Sequence, residues 1–167
     1  ADGCELLDQA IEQFTAICGP DAVLHESLQL MTYECDALPH LREKPALVVL
    51  PGSASEVQAV VRICAREGVP FVARGHGTGL SGGALPVAGG VVISLARLNR
   101  VLEIDIPNKR VTVEPGVTNL EITRRVAPFG YYYAPDPSSQ QVCSIGGNVA
   151  ENSGGAHCLK YGFTVHH

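Results

Sequence analysis

Apolar residues along the chain follow two rhythms, and the places where one gives way to the other outline its elements. In "CELLDQAIEQFTAI", Leu7, Ala10, Ile11, Phe14 and Ile17 recur every three or four positions, which predicts an amphipathic helix that Gly19 and Pro20 end. The polar stretch "TYECDALPHLREKP" keeps neither rhythm and is expected to be an arm lying over the domain rather than part of its sheet. "ALVVL" then reads as a buried strand. After a turn, Val57, Val60, Val61 and Cys64 mark one face of a helix, with Ser53 and Glu56 at capping-box spacing and Gly68 as the stop. "VPFVAR" completes a strand, helix, strand unit.

Further along, the period of two dominates. "VVISL", "VLEIDI" and "RVTVEPG" predict the three strands of a β-meander, with a turn at "PNK". Thr118 and Glu121 predict a second capping box for a short helix that stops near Gly130. From Tyr131 to His167 the chain is rich in Gly, Pro, Ser and Asn with little periodicity, and loops of that length inside compact domains are usually functional. Tyr131 to Tyr133 either line a pocket or divide between core and surface.

Composition narrows the class of partner. With 167 residues and 46% hydrophobic content the chain can bury a core. A net charge of −5 without a basic run argues against nucleic acid or an anionic membrane and for a small ligand. No apolar stretch is long enough to span a bilayer, and the N-terminus lacks the pattern of a signal peptide, so a soluble cytoplasmic protein without a transmembrane segment is expected. The cysteines at 4, 18, 35, 64, 143 and 158 have neither zinc nor iron–sulfur spacing, which fits free thiols in a reducing compartment and no metal.

Candidate chemistry lies in two glycine clusters, 75–83 and 146–155. Gly77, Gly79 and Gly82 spell G-x-G-x-x-G after a strand, but the helix that a Rossmann turn must open cannot form through Gly83, Pro86, Gly89 and Gly90. Glu103, near the offset of a ribose-binding acid, loses its meaning with that helix. Glycines also let backbone amides approach an anion and adopt the φ > 0 conformations of anion-binding nests. Two such clusters suit one long ligand, with Thr78, Ser81, Ser138, Ser139, Ser144, Asn148 and Asn152 as neutral partners and Arg74 as the charge. Against this stands plain turn chemistry, which also uses glycine.

The segments "PGSASEVQAVVRICAREGVPFVARGHGTGLSGGALP", "GVVISLARLNRVLEID", "VTVEPGVTN", "YYYAPDPSS" and "CSIGGNVAENSGGAHCLKYG" occur in an order that closely resembles FAD-binding domains of the vanillyl-alcohol oxidase and p-cresol methylhydroxylase type. Within that family the likeness is to the FAD subunits of bacterial glycolate oxidases. The resemblance implies an α+β fold of two α/β subdomains clasping FAD, with residues 1–45 as helix and arm, residues 46–167 as an incomplete FAD-binding domain, and the substrate domain with its catalytic residues absent. It places the pyrophosphate on Arg74, Gly75, His76, Gly77, Thr78, Gly79, Leu80, Ser81 and Gly82. Pro135, Asp136, Pro137, Ser138 and Ser139 pass near the flavin. Cys143, Ser144, Gly146, Gly147, Asn148, Asn152, Gly154, Gly155, Tyr161 and Gly162 complete the cleft.

The same resemblance implies oxidation of a 2-hydroxy acid, glycolate or D-lactate, with electrons passing to a partner subunit through which any membrane association would run. The alternative is a module that keeps the fold, binds little FAD and serves in subunit contact. Thr78 stands where some relatives carry a histidine that bonds FAD covalently, so the expected FAD is non-covalent. His76 points out of the loop, the favoured reading, or touches the cofactor. His157 belongs to the cofactor wall or sits hydrogen-bonded beside it, and Cys143 is expected to be a small buried filler.

Overall fold

The computed structural model describes residues 3–167, with side chains from residue 9 onward; the expected contact of Leu7 lies outside the described residues. The chain divides into two units, one ending at Arg97 and one running from Leu98 to His167.

The first unit contains α1 (Gly3–Cys18), β1 (Val23–Leu24), α2 (Ser27–Leu30), β2 (Leu47–Val49), α3 (Ala54–Glu67), β3 (Phe71–Arg74) and β4 (Val91–Ser94). Its sheet has the order β1-β2-β4-β3, with β1 antiparallel to β2 and the other neighbours parallel. Leu47, Val49, Val91 and Ile93 face α1 and α3, meeting Ala10, Phe14, Val60, Ile63 and Cys64. Val48 and Val92 point the other way, onto Leu30, Tyr33 and Val72. A central strand covered on both faces reads as an unbroken apolar run, and "VVI" in β4 is such a run. This corrects the expected meander: β4 is an inner strand of the parallel sheet, paired residue for residue with β2 and β3, and only the two strands after it form a hairpin.

At the start of α3, Ser53 Oγ accepts the Glu56 N–H at 3.2 Å, and the Glu56 carboxylate accepts from Gly52 N–H at 2.7 Å. That carboxylate is held below its usual pKa chiefly by the Gly52 bond. Gly68 closes the helix at φ 66°. The arm after α2 contains no strand, as expected, and is pinned by Arg42 to Glu34 at 2.6 Å and by Lys44 to Ser27 at 2.7 Å. β1 was not legible because its two residues carry no pattern.

The second unit contains β5 (Val101–Asp105), β6 (Arg110–Val113), α4 (Asn119–Val126), α5 (Ile145–Glu151) and α6 (Cys158–Tyr161). β5 and β6 pair antiparallel through a turn in which Asp105 accepts from the backbone and side chain of Asn108. Glu114, just past β6, takes three hydrogen bonds from Arg100, two from the guanidinium and one from the backbone. Thr118 occupies the N-cap of α4 but makes no side-chain cap bond, and Glu121 pairs with Arg125 at 2.7 Å, so the second capping box does not form. A cavity of about 570 Å³ opens in this unit, lined by Val113, Ile122, Val126, Ile145 and all three of Tyr131, Tyr132 and Tyr133.

The expected loop from 131 to 167 is also corrected, since it holds α5, α6 and a final turn of 3₁₀ helix. The order comes from bonds to a distant strip of chain rather than from propensity. Ile145 N–H donates to Val117, Gly146 N–H to Pro115 and Leu120 N–H to Gln140, while Asn119 N–H donates to Cys143.

Candidate functional site

In the first unit β3 ends on Arg74 and β4 begins at Val91, parallel to it, so residues 75–90 must carry the chain back along the whole sheet. That return path is the first glycine cluster. Gly77 at φ 69° and Gly82 at φ 74° take the left-handed conformation; Gly75, Gly79 and Gly83 do not. The loop is wrapped around the side chain of Arg74, which is buried although it is charged. One guanidinium nitrogen donates to the Cys35 carbonyl at 2.8 Å, and the group lies 5.5 Å from the centre of the Tyr33 ring. Its other terminal nitrogen, Nη1, is buried with no partner. Burial lowers the guanidinium pKa, opposed by Cys35, Tyr33 and Asp36, yet an arginine keeps its charge.

His76 is half-buried and its Nδ1 is enclosed without a partner, which departs from the favoured outward-pointing reading. Leu80 projects into solvent and Thr78 is half-buried. The arm holds the loop from outside: Asp36 Oδ2 accepts from Gly82 N–H at 2.9 Å, its Oδ1 accepts from Leu38 N–H at 2.8 Å, and Ala37 N–H donates to Gly79 at 3.1 Å. Sequence reasoning missed Tyr33 and Asp36. The one available signal was an acid and an aromatic in a segment expected to lie over the domain.

In the second unit "PDPSS" forms a turn, with Pro137 and Ser139 carbonyls accepting from Gln140, Val142 and Cys143. The buried Asn119 amide fixes its start by donating to the Pro135 carbonyl at 3.0 Å, a positioning role that its place in a helix start did not reveal. Cys143 and Ser144 are buried ahead of α5, as a filler cysteine should be. Gly146 and Gly147 are helical, not nest-forming. A β-carbon at 146 would meet Pro115 at 2.7 Å, so glycine is there for close packing. Gly154 lies under the Phe163 ring and Gly155 against the Asp136 backbone. Asn152, at φ 50°, closes α5, and its side chain accepts from Val165 N–H at 3.0 Å. Gly162 takes φ 87° beside His166. Asn148 is buried on α5, and its Nδ2 has no partner.

Asp136, His157, Lys160, Tyr161 and Tyr132 form a cluster. Asp136 Oδ2 meets His157 Nδ1 at 2.5 Å, and that bond holds its carboxyl below the usual range. The Tyr161 phenol is lowered by hydrogen bonds with Lys160 and Tyr132.

A buried polar atom without a partner costs about 1–3 kcal/mol, a cost that a bound group or an ordered water relieves. Among the described residues the buried orphans are Arg74 Nη1, His76 Nδ1 and Asn148 Nδ2, and all three belong to the set expected to hold FAD. An enclosed cation in a glycine loop and a buried amide suit an anionic, hydrogen-bonding ligand such as a dinucleotide.

Helices and strands of these kinds, with a glycine loop around a buried cation, define a nucleotide-cofactor domain of α+β type. The chain belongs to the FAD binding domain family, whose pattern it matches over residues 45–167. It is 56% identical over 144 residues to the glycolate oxidase subunit GlcD of Escherichia coli (strain K12), an alignment covering 86% of this chain and 29% of that protein. It is 38% identical to a D-lactate dehydrogenase of Anaerostipes hadrus, covering 74% of this chain and 26% of that one. Among solved structures, alkyldihydroxyacetonephosphate synthase superposes with a TM-score of 0.84 at 26% identity, over 93% of this chain and 31% of the other. A 4-ethylphenol oxidase from Gulosibacter chungangensis gives 0.80 at 32% identity, over 90% and 30%. The chain therefore spans under a third of the length of these relatives. No helix among the described residues is long and apolar enough to cross a membrane.

Proposed function

We propose that this chain is the FAD-binding part, residues 46–167 preceded by the helix and arm of 1–45, of a flavin-dependent 2-hydroxy-acid oxidoreductase acting on glycolate. The observation that carries the reading is the coincidence of the three orphaned polar atoms with the expected cofactor residues. In the first unit, the backbone of Gly75 to Gly82 and the side chains of Arg74 and His76 receive the pyrophosphate. In the second unit the cofactor residues of this reading are Pro135 to Ser139, Cys143 to Asn148, Asn152, Gly154, Gly155, Tyr161 and Gly162. Thr78 offers only a hydroxyl, which keeps FAD dissociable.

Bound FAD supplies the two-electron acceptor for converting a 2-hydroxy acid to the 2-oxo acid. The chain's own part is to bind and orient. Arg74 is held in place by Cys35 and Tyr33 before any ligand arrives, so its ordering cost is met in folding rather than in binding. The Asp36 clasp on Gly82 gives the loop its shape without a ligand.

Glycolate is preferred on the 56% identity to a glycolate oxidase subunit, and the word subunit in that relative's name supports an electron-accepting partner. The D-lactate dehydrogenase relative makes D-lactate the second reading. A full-length protein containing this chain is expected to show flavin absorbance and to reduce an artificial dye faster with glycolate than with D-lactate. A larger rate with D-lactate selects the second reading, and a colourless protein that takes up no added FAD selects the non-enzymatic one.

A further inference from the structure

Asp136 grips His157 twice: its Oδ2 meets Nδ1 at 2.5 Å, and its Oδ1 accepts the His157 backbone N–H at 3.3 Å. Gly155 lies close enough that a β-carbon there would strike the Asp136 backbone and Oδ1. The imidazole is 65% exposed. An exposed contact of this kind adds little to stability, so stability alone gives little reason for so tight an arrangement. What it does achieve is orientation: Nδ1 is committed to the carboxylate, which leaves Nε2 as the ring's other hydrogen-bonding atom.

The surroundings select the kind of ligand. The Tyr161 ring lies 6.4 Å from the imidazole and the Tyr132 ring stands edge-on to it at 6.0 Å, which gives flat apolar surfaces. Lys160 lies over the Tyr161 ring at 4.7 Å and is engaged with its phenol. The Asp136 carboxylate repels a phosphate. An uncharged planar heterocycle with hydrogen-bonding edges fits, and a polyanion does not.

We propose that His157, positioned by Asp136, hydrogen-bonds the ring of the bound cofactor through Nε2. This rests on the FAD reading above and adds a positioning residue to it. Histidine-¹⁵N NMR of the protein gives a readout that does not depend on turnover. Without FAD, the His157 signals should show Nδ1 carrying a proton, and on saturation with FAD the Nε2 resonance should move while Nδ1 stays. His157→Gln should weaken FAD binding by about 3- to 10-fold, the worth of one hydrogen bond, and displace the flavin absorption bands. Asp136→Asn should displace the bands as well, with the imidazole free to change tautomer. FAD binding that leaves the His157 ring signals unmoved, with a His157→Gln spectrum superimposable on the parent, overturns this proposal alone. Failure of the parent protein to take up FAD overturns the cofactor reading and this one with it.

Discussion

The guanidinium of Arg74 lies so close to Gly77 that a β-carbon at residue 77 would stand 2.7 Å from its central carbon. Gly77 is also at φ 69°, a conformation that costs a β-branched residue dearly. Gly77→Val should therefore displace Arg74 and reshape the loop, leaving the sheet beneath in place. Flavin per protein after gel filtration should fall to near zero with circular dichroism unchanged. Equal flavin content in variant and parent would refute it.

Arg74 itself separates stability from binding. Replacing the guanidinium by an apolar side chain of similar length removes a desolvated charge but leaves the Cys35 carbonyl without its donor, and the two effects oppose each other. Arg74→Met should change the stability of the FAD-free protein by no more than about 1 kcal/mol while lowering FAD affinity about 10-fold or more, as expected for a charged hydrogen bond. Denaturant melts and a calorimetric titration read the two quantities independently.

Much of this was visible in the residues themselves. The helix of 54–67 follows from its apolar face, its Ser53 cap and its Gly68 stop, and "VVI" carries the unbroken apolar run of an inner parallel strand. Alternation could not say which strand β4 pairs with, because partner choice is a long-range matter. α5 was hidden because Gly146 and Gly147 are poor helix formers, and the carbonyls of Pro115 and Val117 that accept from its first N–H groups lie elsewhere in the chain. Arg74, His76 and Asn148 stood out in the sequence because glycines flank them, and each has a buried polar atom without a partner. The glycines of the second cluster were read as nests, yet they make room for Pro115, Phe163 and Asp136.

Gly155→Ala tests that packing role. Its methyl would strike the Asp136 carbonyl, a backbone group that cannot turn aside. Overpacking of this kind costs about 1–3 kcal/mol, so thermal unfolding should occur several degrees lower than in the parent. An unshifted melt would mean that the Asp136 turn yields freely.

Glu114 gives a pH dependence with a definite sign. Its hydrogen bonds from Arg100 hold its pKa below the usual carboxylate value. The ionised form is the one the fold favours, so its contribution is complete above the unfolded-state pKa of about 4.3 and fades as pH falls through the lower folded value. Glu114→Gln should be less stable than the parent at pH 7, and the gap should close near pH 3. Urea titrations at both pH values check it; a gap that widens on acidification would contradict it.

The contacts of Asp36 and Ala37 with Gly82 and Gly79 join parts of the chain more than forty residues apart. The glycine loop is thus half of a clasp, and its other half is written in a polar stretch with no rhythm of its own. Exchanging residues 74–86 alone with a distant relative would leave the incoming loop without its catch, whereas moving 33–43 together with it transfers a working pair. In this fold the unit that shapes the glycine loop is discontinuous, and alignments confined to the glycine motif will miss half of what gives it shape.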